Sequence, residues 1–338
     1  MSTTTGDLKQ VSFPPDVLAR IAPDVSLQRH LSLGIRPNLR KFQEFNSIQI
    51  GGDIPQLQNN YNNVFASSII KSGSTTIINT ITLGIVENYG ETTDKYSSIY
   101  PVVEILRGRL GGSPTDEEMI VAQELHETIY HSKLIPSESL VIKPVGICIK
   151  QEDEEEQIIY PEENEVISDK SYSFVLLSSI KVYSKHTSTN SLFDLCYLSC
   201  VDALQKLTLP RLYIMDTIQT KVSVKSKRST TRGLISTNKA QLNIDTNKEL
   251  YYPIAVSIKP GSISSNFGIV KHEDTTILLT DLQGQEEESS ILSRMSIITN
   301  KSGSINRISL ISGEGDISLE LLNEALEISK RRSIEGVI

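Results

Sequence analysis

The chain has 338 residues, 38% of them hydrophobic and 22% charged, a balance that excludes a disordered chain and allows either two compact units or one large two-lobed domain. Its 33 Lys and Arg against 41 Asp and Glu give a formal net charge of −8, so any contact with RNA must be local or shared with partners, because dedicated nucleic-acid binders are more often basic. No apolar run reaches the roughly 18 residues of a membrane span, and the polar start MSTTTGDLKQ lacks the regions of a secretory signal, so the sequence reads as a soluble intracellular chain with no membrane partner.

Residues 1–33 read as an N-terminal arm. Pro14 and Pro15 punctuate it, Val17, Leu18 and Ile21 recur at helical spacing, and Pro23 breaks the pattern before a second helical turn expected around Leu27 to Leu31. Ile48 and Ile50 then alternate with polar residues. Val64 to Lys71 and Thr75 to Val86 are β-rich runs joined by Ser72-Gly73-Ser74, which predicts a hairpin.

Thr115-Asp116-Glu117-Glu118 has the spacing at which a Thr oxygen and a Glu three residues later satisfy the free amides of a helix start. Val121, Ala122, Leu125 and Ile129 fall on one face of the helix so begun, which ends near His131. Strands are expected at Leu140 to Lys150 and Tyr172 to Tyr183. The acidic run Gln151 to Glu156 between them reads as a solvated loop, since packed like charges repel.

Leu192, Leu195, Cys196, Ser199, Ala203 and Leu207 form a helical stripe of modest side chains suited to close packing on a sheet, and Pro210 ends it. Beyond a polar connection at 216–250, strands are predicted at Ile254 to Ile258, Phe267 to Val270, Thr276 to Leu279, Ile291 to Thr299 and Ile305 to Ile311. A last helix from near Asp316 carries Leu321, Ala325 and Ile328 on one face, with Lys330-Arg331-Arg332 at its negative end. Runs of strands followed by a late helix, twice over, define an α+β fold of two similar β-rich halves, 34–215 and 251–338, rather than a doubly wound sheet.

Few stretches carry chemistry on their own. Cys148, Cys196 and Cys200 are too sparse for a disulfide framework or a zinc site, although Cys196 and Cys200 share a helical face. Lys71 to Thr76 lacks the order of a phosphate loop and reads as a turn. His30, His126, His131, His186 and His272 form no metal-binding pair, so no metal or other cofactor is expected. Asp281 with Glu286-Glu287-Glu288 is the best carboxylate group, weighed against an exposed acidic loop. Lys221, Lys225, Lys227, Arg228 and Arg232 could follow a phosphate backbone, but no aromatic residues interleave to stack on bases. In Arg107-Gly108-Arg109 the glycine permits close approach to a phosphate that the arginines could grip.

Read together, several stretches resemble the ribonuclease PH family. Gly34-Ile35-Arg36-Pro37-Asn38-Leu39-Arg40 resembles its R-P-D-G-R opening, and Val64 to Thr80 its following hairpin. Arg107 to Ile129 resembles its Arg/Gly loop and capped helix, Leu192-Phe193-Asp194 to Leu209-Pro210 its second helix, and Ile254 to Gly303 its second sheet. The arm, Phe13 to Arg20 and Ser26 to Gly34, resembles that of exosome ring subunits within the family.

That resemblance implies a ring of such chains arranged as heterodimers, with one partner resembling ribosomal-RNA-processing protein 46. It further implies RNA-binding cap proteins above the ring, RNA threaded through the pore, a separate catalytic exonuclease subunit, and residence in nucleus, nucleolus and cytoplasm. The catalytic pattern is broken, however. Asp116-Glu117-Glu118 stands where active members carry phosphate-binding arginines, Thr187 to Ser191 offers neither Gly nor Arg, and the Asp-Gly of the opening has become Asn38-Leu39. A carboxylate repels a phosphate dianion. The expectation is therefore a non-catalytic ring subunit touching RNA through Arg107 and Arg109 and, less firmly held, Lys225, Lys227, Arg228 and Arg232. The alternative is an active phosphate-dependent 3′ exoribonuclease using Arg107, Arg109 and Glu286 to Glu288 with a partner chain.

Overall fold

The computed structural model describes residues 13–52, 63–88, 98–107, 112–142, 145–149, 157–161, 171–184, 189–215, 242–245, 247–254, 262–273, 275–300, 302–313 and 317–335. In chain order they form helices α1 (Pro15–Ile21) and α2 (Pro23–Ser32), then strands β1 (Ile48–Gly51), β2 (Val64–Ser72), β3 (Thr75–Asn88) and β4 (Ile99–Ile105). Helix α3 (Asp116–His131), strands β5 (Gly146–Ile149), β6 (Gln157–Ile159) and β7 (Ser171–Ser184), and helix α4 (Thr189–Lys206) follow. Short strands β8 (Thr208–Leu209), β9 (Leu212–Met215), β10 (Leu242–Ile244) and β11 (Tyr252–Pro253) lead into β12 (Ile263–His272) and β13 (Thr275–Thr280). Helix α5 (Gln285–Ser290), strands β14 (Ser293–Thr299) and β15 (Ile305–Ile311), and helix α6 (Leu319–Glu335) complete the order.

The first sheet runs β1-β2-β3-β7-β4, antiparallel except for the β4–β7 pair. Its hairpin register places Ser72 opposite Thr75, with Gly73 at φ 57°, a turn conformation that glycine adopts without steric cost. Along β3, Thr75, Ile77, Asn79 and Ile81 are buried in strict alternation, the period-two pattern of a strand with one face in the core. Helix α3 lies on β4 and α4, burying Val121, Leu125 and Ile129 as their spacing predicts.

Helix α4 is buried almost throughout, from Leu192 to Leu204, because it touches β2 and β3 on one side and β12 of the second sheet on the other. The second sheet runs β13-β12-β14-β15. Phe267, Met295 and Ile297 on its far face pack under Ala325 and Ile328 of α6, while Ile298 on the near face joins the main core beneath α4. The arm is docked. Leu27 and Leu31 of α2 pack with Val270, Leu279, Leu282 and Ile291 of the second sheet and its α5 corner. A small sheet, β10-β9-β5-β6, and the β11–β8 pair are hydrogen-bonded separately, but Leu209 of β8 and Leu212 of β9 join the main core, with Leu242 and Tyr252 packed against it.

Several boundaries differ from expectation: β12 begins at Ile263, four residues before Phe267, and β14 at Ser293, because α5 runs to Ser290. Of the strand expected from Leu140, Leu140 ends a 3-10 turn begun after Pro136, Val141 makes a single bridge to Ser173, Gly146–Ile149 form β5, and 143–144 and 150 lie outside the described residues. Ile254 follows β11 outside any strand, and 255–258 lie outside the described residues. The last helix begins at Leu319, past the expected Asp316. The acidic run at Gln151 to Glu156 and the connection 216–241 also lie outside the described residues. Strand β4 goes unread in the sequence: Ile99, Pro101 and Val103 are buried, but the alternating Tyr100 and Val102 are themselves apolar and erase the contrast.

Candidate functional site

Arg107 follows β4, where Leu106 N–H still donates to Val182 O and extends the parallel pair. Its Nη2 donates to Glu118 Oε2 at 2.7 Å and to Thr115 Oγ1 at 3.3 Å. Glu118 is the third residue of α3 and closes the capping box with Thr115. Its Oε1 accepts from Ile105 N–H and its Oε2 from Thr115 N–H, both at 2.6 Å. Burial alone would raise this carboxyl, but the amides of Thr115 and Ile105 and the Arg107 guanidinium outweigh it and bring the pKa down to about 2. Glu118 is thus ionised and almost wholly buried, and the positive charge of Arg107 is answered within the protein.

The Arg107 side chain remains 44% exposed, so most of the value of this group lies in the amides that Glu118 holds and little in the half-exposed ion pair. Glu118→Gln is expected to cost about 1–3 kcal/mol at neutral pH. The folded pKa lies below the ordinary 4.5, so the stabilisation is present above that value and fades as pH falls toward 2. Urea unfolding of both proteins should therefore show the gap narrowing at acid pH.

A second polar group joins the start of the chain to the second half. Arg36, 0% exposed, donates from Nε to Glu287 Oε1 at 2.8 Å and from Nη2 to Glu287 Oε2 at 2.5 Å. It also reaches Thr280 O at 2.6 Å and Asp281 O at 3.1 Å. Glu287 Oε2 accepts Gln283 N–H as well, at 2.9 Å. Arg40 donates to Asp281 O at 2.8 Å, and Asp281 Oδ2 accepts Asn46 N–H at 2.9 Å. Burial, followed by the neighbouring charge of Arg36, lowers the Arg40 pKa. Glu286 Oε1 accepts from Ser26 Oγ of α2 at 2.7 Å.

This corrects the reading of Glu286-Glu287-Glu288 as an exposed acidic loop. The run is the first turn of α5, and Glu287 is fully buried because a fully buried arginine far away in sequence neutralises it. Both Glu287 oxygens are held by Arg36 and Gln283, which ties this carboxylate to structure.

A third group, absent from the sequence reading, is Asp194 of α4. Its Oδ1 accepts from Ser264 Oγ of β12 and, at 3.4 Å, from Ser296 Oγ of β14, while Oδ2 is buried without a partner among the described residues. Burial, reinforced by the charge of Asp281 and opposed by its serine bonds and Arg332, pushes its pKa up to about 7. The signal in the sequence is an acid next to the apolar stripe of α4; the helix's other acid, Asp202, is paired with Lys206 and Ser68.

Of the basic residues singled out from sequence, Arg107 is described; Arg109, Lys221, Lys225, Lys227, Arg228 and Arg232 lie outside the described residues. Cys196 and Cys200 are buried, and burial pushes both thiols up, as suits packing residues. His126 lies between the rings of Tyr100 and Tyr130. Among the described residues no group of three or more His, Cys, Asp or Glu could hold a metal ion, and no helix is long and apolar enough to cross a membrane.

Two sheets sandwiching α4, with α3 on the first and α6 on the second, make the ribonuclease PH-like fold. Chains of the Archaeoglobus fulgidus exosome with RNA bound to the active site superpose with a TM-score of 0.58 at 17% identity, over 94% of this chain and 96% of that one. An archaeal exosome core gives a TM-score of 0.56 at 16% identity, over 94% and 96%. In sequence the chain is similar to exosome complex component rrp43 of Schizosaccharomyces pombe, 31% identical over 146 residues. That match covers 42% of this chain and 51% of the relative, so the chain spans about half the length of the curated relative it matches. No protein-family model matches the sequence.

Proposed function

We propose that the chain is a non-catalytic ring subunit of an RNA exosome core, supporting 3′-to-5′ RNA processing and degradation by scaffolding and by threading RNA. The fold shared with archaeal exosome chains and the sequence similarity to rrp43 support the assembly. The observation that carries the loss of catalysis is the Glu118 cap. In the loop where active relatives would present arginines to phosphate, a buried carboxylate takes up Arg107. Both oxygens of Glu287 are engaged by buried structural donors, Oε1 by Arg36 and Oε2 by Arg36 and Gln283, which supports a structural role for it.

In this reading the arm is residues 1–33, the halves are 34–215 and 251–338, and 216–250 connects them. Its partners are other ribonuclease PH-like ring chains, especially one resembling ribosomal-RNA-processing protein 46, with RNA-binding cap proteins, a separate exonuclease subunit and RNA. The expected location is nucleus, nucleolus and cytoplasm. Direct RNA contact falls to Arg107 and Arg109 ahead of Lys225, Lys227, Arg228 and Arg232.

The test is the native mass and composition of the gently purified chain, paired with a phosphorolysis assay. A complex of several different ring and cap chains is expected, with no nucleoside diphosphate release traceable to this chain. A lone monomer or homo-oligomer would remove the ring reading. Phosphate-dependent release of nucleoside diphosphates, abolished by Arg107→Ala with Arg109→Ala, would establish the exoribonuclease alternative.

A further inference from the structure

Leu39 combines two features that rarely meet. Its backbone is left-handed, at φ 64°, and of the five non-glycine residues with positive φ among the described residues it is the only apolar one. Its side chain is also 79% exposed, more than any other large apolar side chain among the described residues. The left-handed backbone crowds Cβ against the following carbonyl, and an exposed leucine gains nothing from burial in return. Within the described chain the strain goes unrewarded.

The turn that carries it is fixed from below. Leu39 N–H donates to Arg36 O at 2.9 Å, Arg36 N–H to Arg40 O at 3.3 Å, and Arg40 N–H to Asn38 Oδ1 at 3.1 Å. Arg36 is the buried partner of Glu287, and Arg40 donates to the carbonyls of Glu44 and Asp281. The leucine is thus held in one place on a rigid stem, which removes the ordering cost that a mobile loop brings to a contact. Its collar is polar and balanced in charge: Arg40 and Lys41 are accompanied by Asp281 and by Glu44, whose carboxylate accepts Lys41 N–H at 3.1 Å.

We propose that Leu39 is an anchor that inserts into an apolar socket with a neutral polar rim on a different protein chain. One apolar knob inside a charge-balanced collar has the layout of an interface hot spot, apolar at the centre and polar around it. A membrane surface calls for a broad apolar face bordered by cations, and a nucleic acid for unbalanced positive charge. A second copy of this chain is the poorer occupant, because the cleft where α3, α4, β14 and β15 meet has free space of about 10 Å³, room for one water, and is lined largely by Glu124, Arg294, Ser296, Arg307 and Ser309. The proposal rests on the reading of the chain as a subunit of an assembly and adds a residue by which a neighbour holds it.

The experiment takes the full chain as wild type, Leu39→Gly and Leu39→Met. Each is unfolded in urea, and each competes in its own cells with untagged wild-type chain for entry into the assembly, whose composition is read from its native mass. Leu39→Gly relieves the backbone, so its urea midpoint is expected to rise. Its share of the assembly is expected to fall about tenfold, the loss of one anchoring side chain, and by the same factor when the assembly is washed at low or high salt. Leu39→Met keeps an apolar side chain and should enter nearly as well as wild type. A lowered midpoint for Leu39→Gly, or entry equal to wild type, would overturn the proposal, as would a homodimer of this chain that Leu39→Gly dissolves. Wild type found alone would remove the assembly reading and this proposal together, whereas an assembled wild type with indifference to Leu39 removes this proposal only.

Discussion

Arg36→Met is expected to destabilise the protein by about 3–5 kcal/mol, because it strands Glu287 as an unpaired charge at 0% exposure. The loss is not that of a contact alone. Arg36 donates four hydrogen bonds, two to Glu287 and one each to the carbonyls of Thr280 and Asp281, and those acceptors stay buried when the donor goes. Changing both partners, Arg36→Met with Glu287→Met, should cost markedly less than Arg36→Met alone, since no buried charge remains. Guanidinium unfolding of the two singles and the double gives the cycle directly. Equal losses for Arg36→Met and the double would show that the ionic character of the pair is irrelevant.

Asp194→Asn is expected to act in the opposite direction at alkaline pH. The folded pKa of about 7 lies above the ordinary 3.8, so the folded protein holds this proton more tightly than the unfolded chain does. Its contribution is therefore fully present below about pH 4 and is lost as pH rises through about 7. Asparagine cannot ionise, so the variant should lack that decline and at pH 8 exceed the wild type by on the order of 3 kcal/mol. The check is a series of thermal or urea unfolding curves from pH 5 to pH 8. A wild-type protein whose stability rises across this range, with Asp194→Asn following in parallel, would show that the carboxyl is not protonated in the fold. Ser264 and Ser296 link this carboxyl to β12 and β14, so the affected contact is the seam between α4 and the second sheet.

The elements legible in sequence were those whose partners are close by or whose two faces differ. The β2–β3 hairpin declared itself through Gly73 and alternation, and α3 through the Thr115–Glu118 box. Helix α4 was recognised as a packing helix, but its burial between two sheets was not, because a stripe shows one face and says nothing of a second neighbour arriving from β12. Strand β4 hid behind apolar residues on both faces.

The site was legible in its losses more than in its contents. The acidic residues ahead of α3 were readable as a break in a phosphate-binding pattern, and Glu118 holds Arg107. The partner of Glu287 was not readable, because local spacing carries no information about an arginine 251 residues away.

The docking of the arm on the second sheet sets an order of events during synthesis. Leu27, Leu31 and Arg36 leave the ribosome early, yet the residues they meet, Leu279, Leu282 and Glu287, are among the last quarter of the chain to be made. At roughly 5–20 residues per second, the separation of 251 residues corresponds to a wait of about 12 to 50 s. Throughout it a guanidinium and two leucines destined for the interior face water or a chaperone, while the first sheet, whose strands all lie upstream of residue 185, can already close on itself.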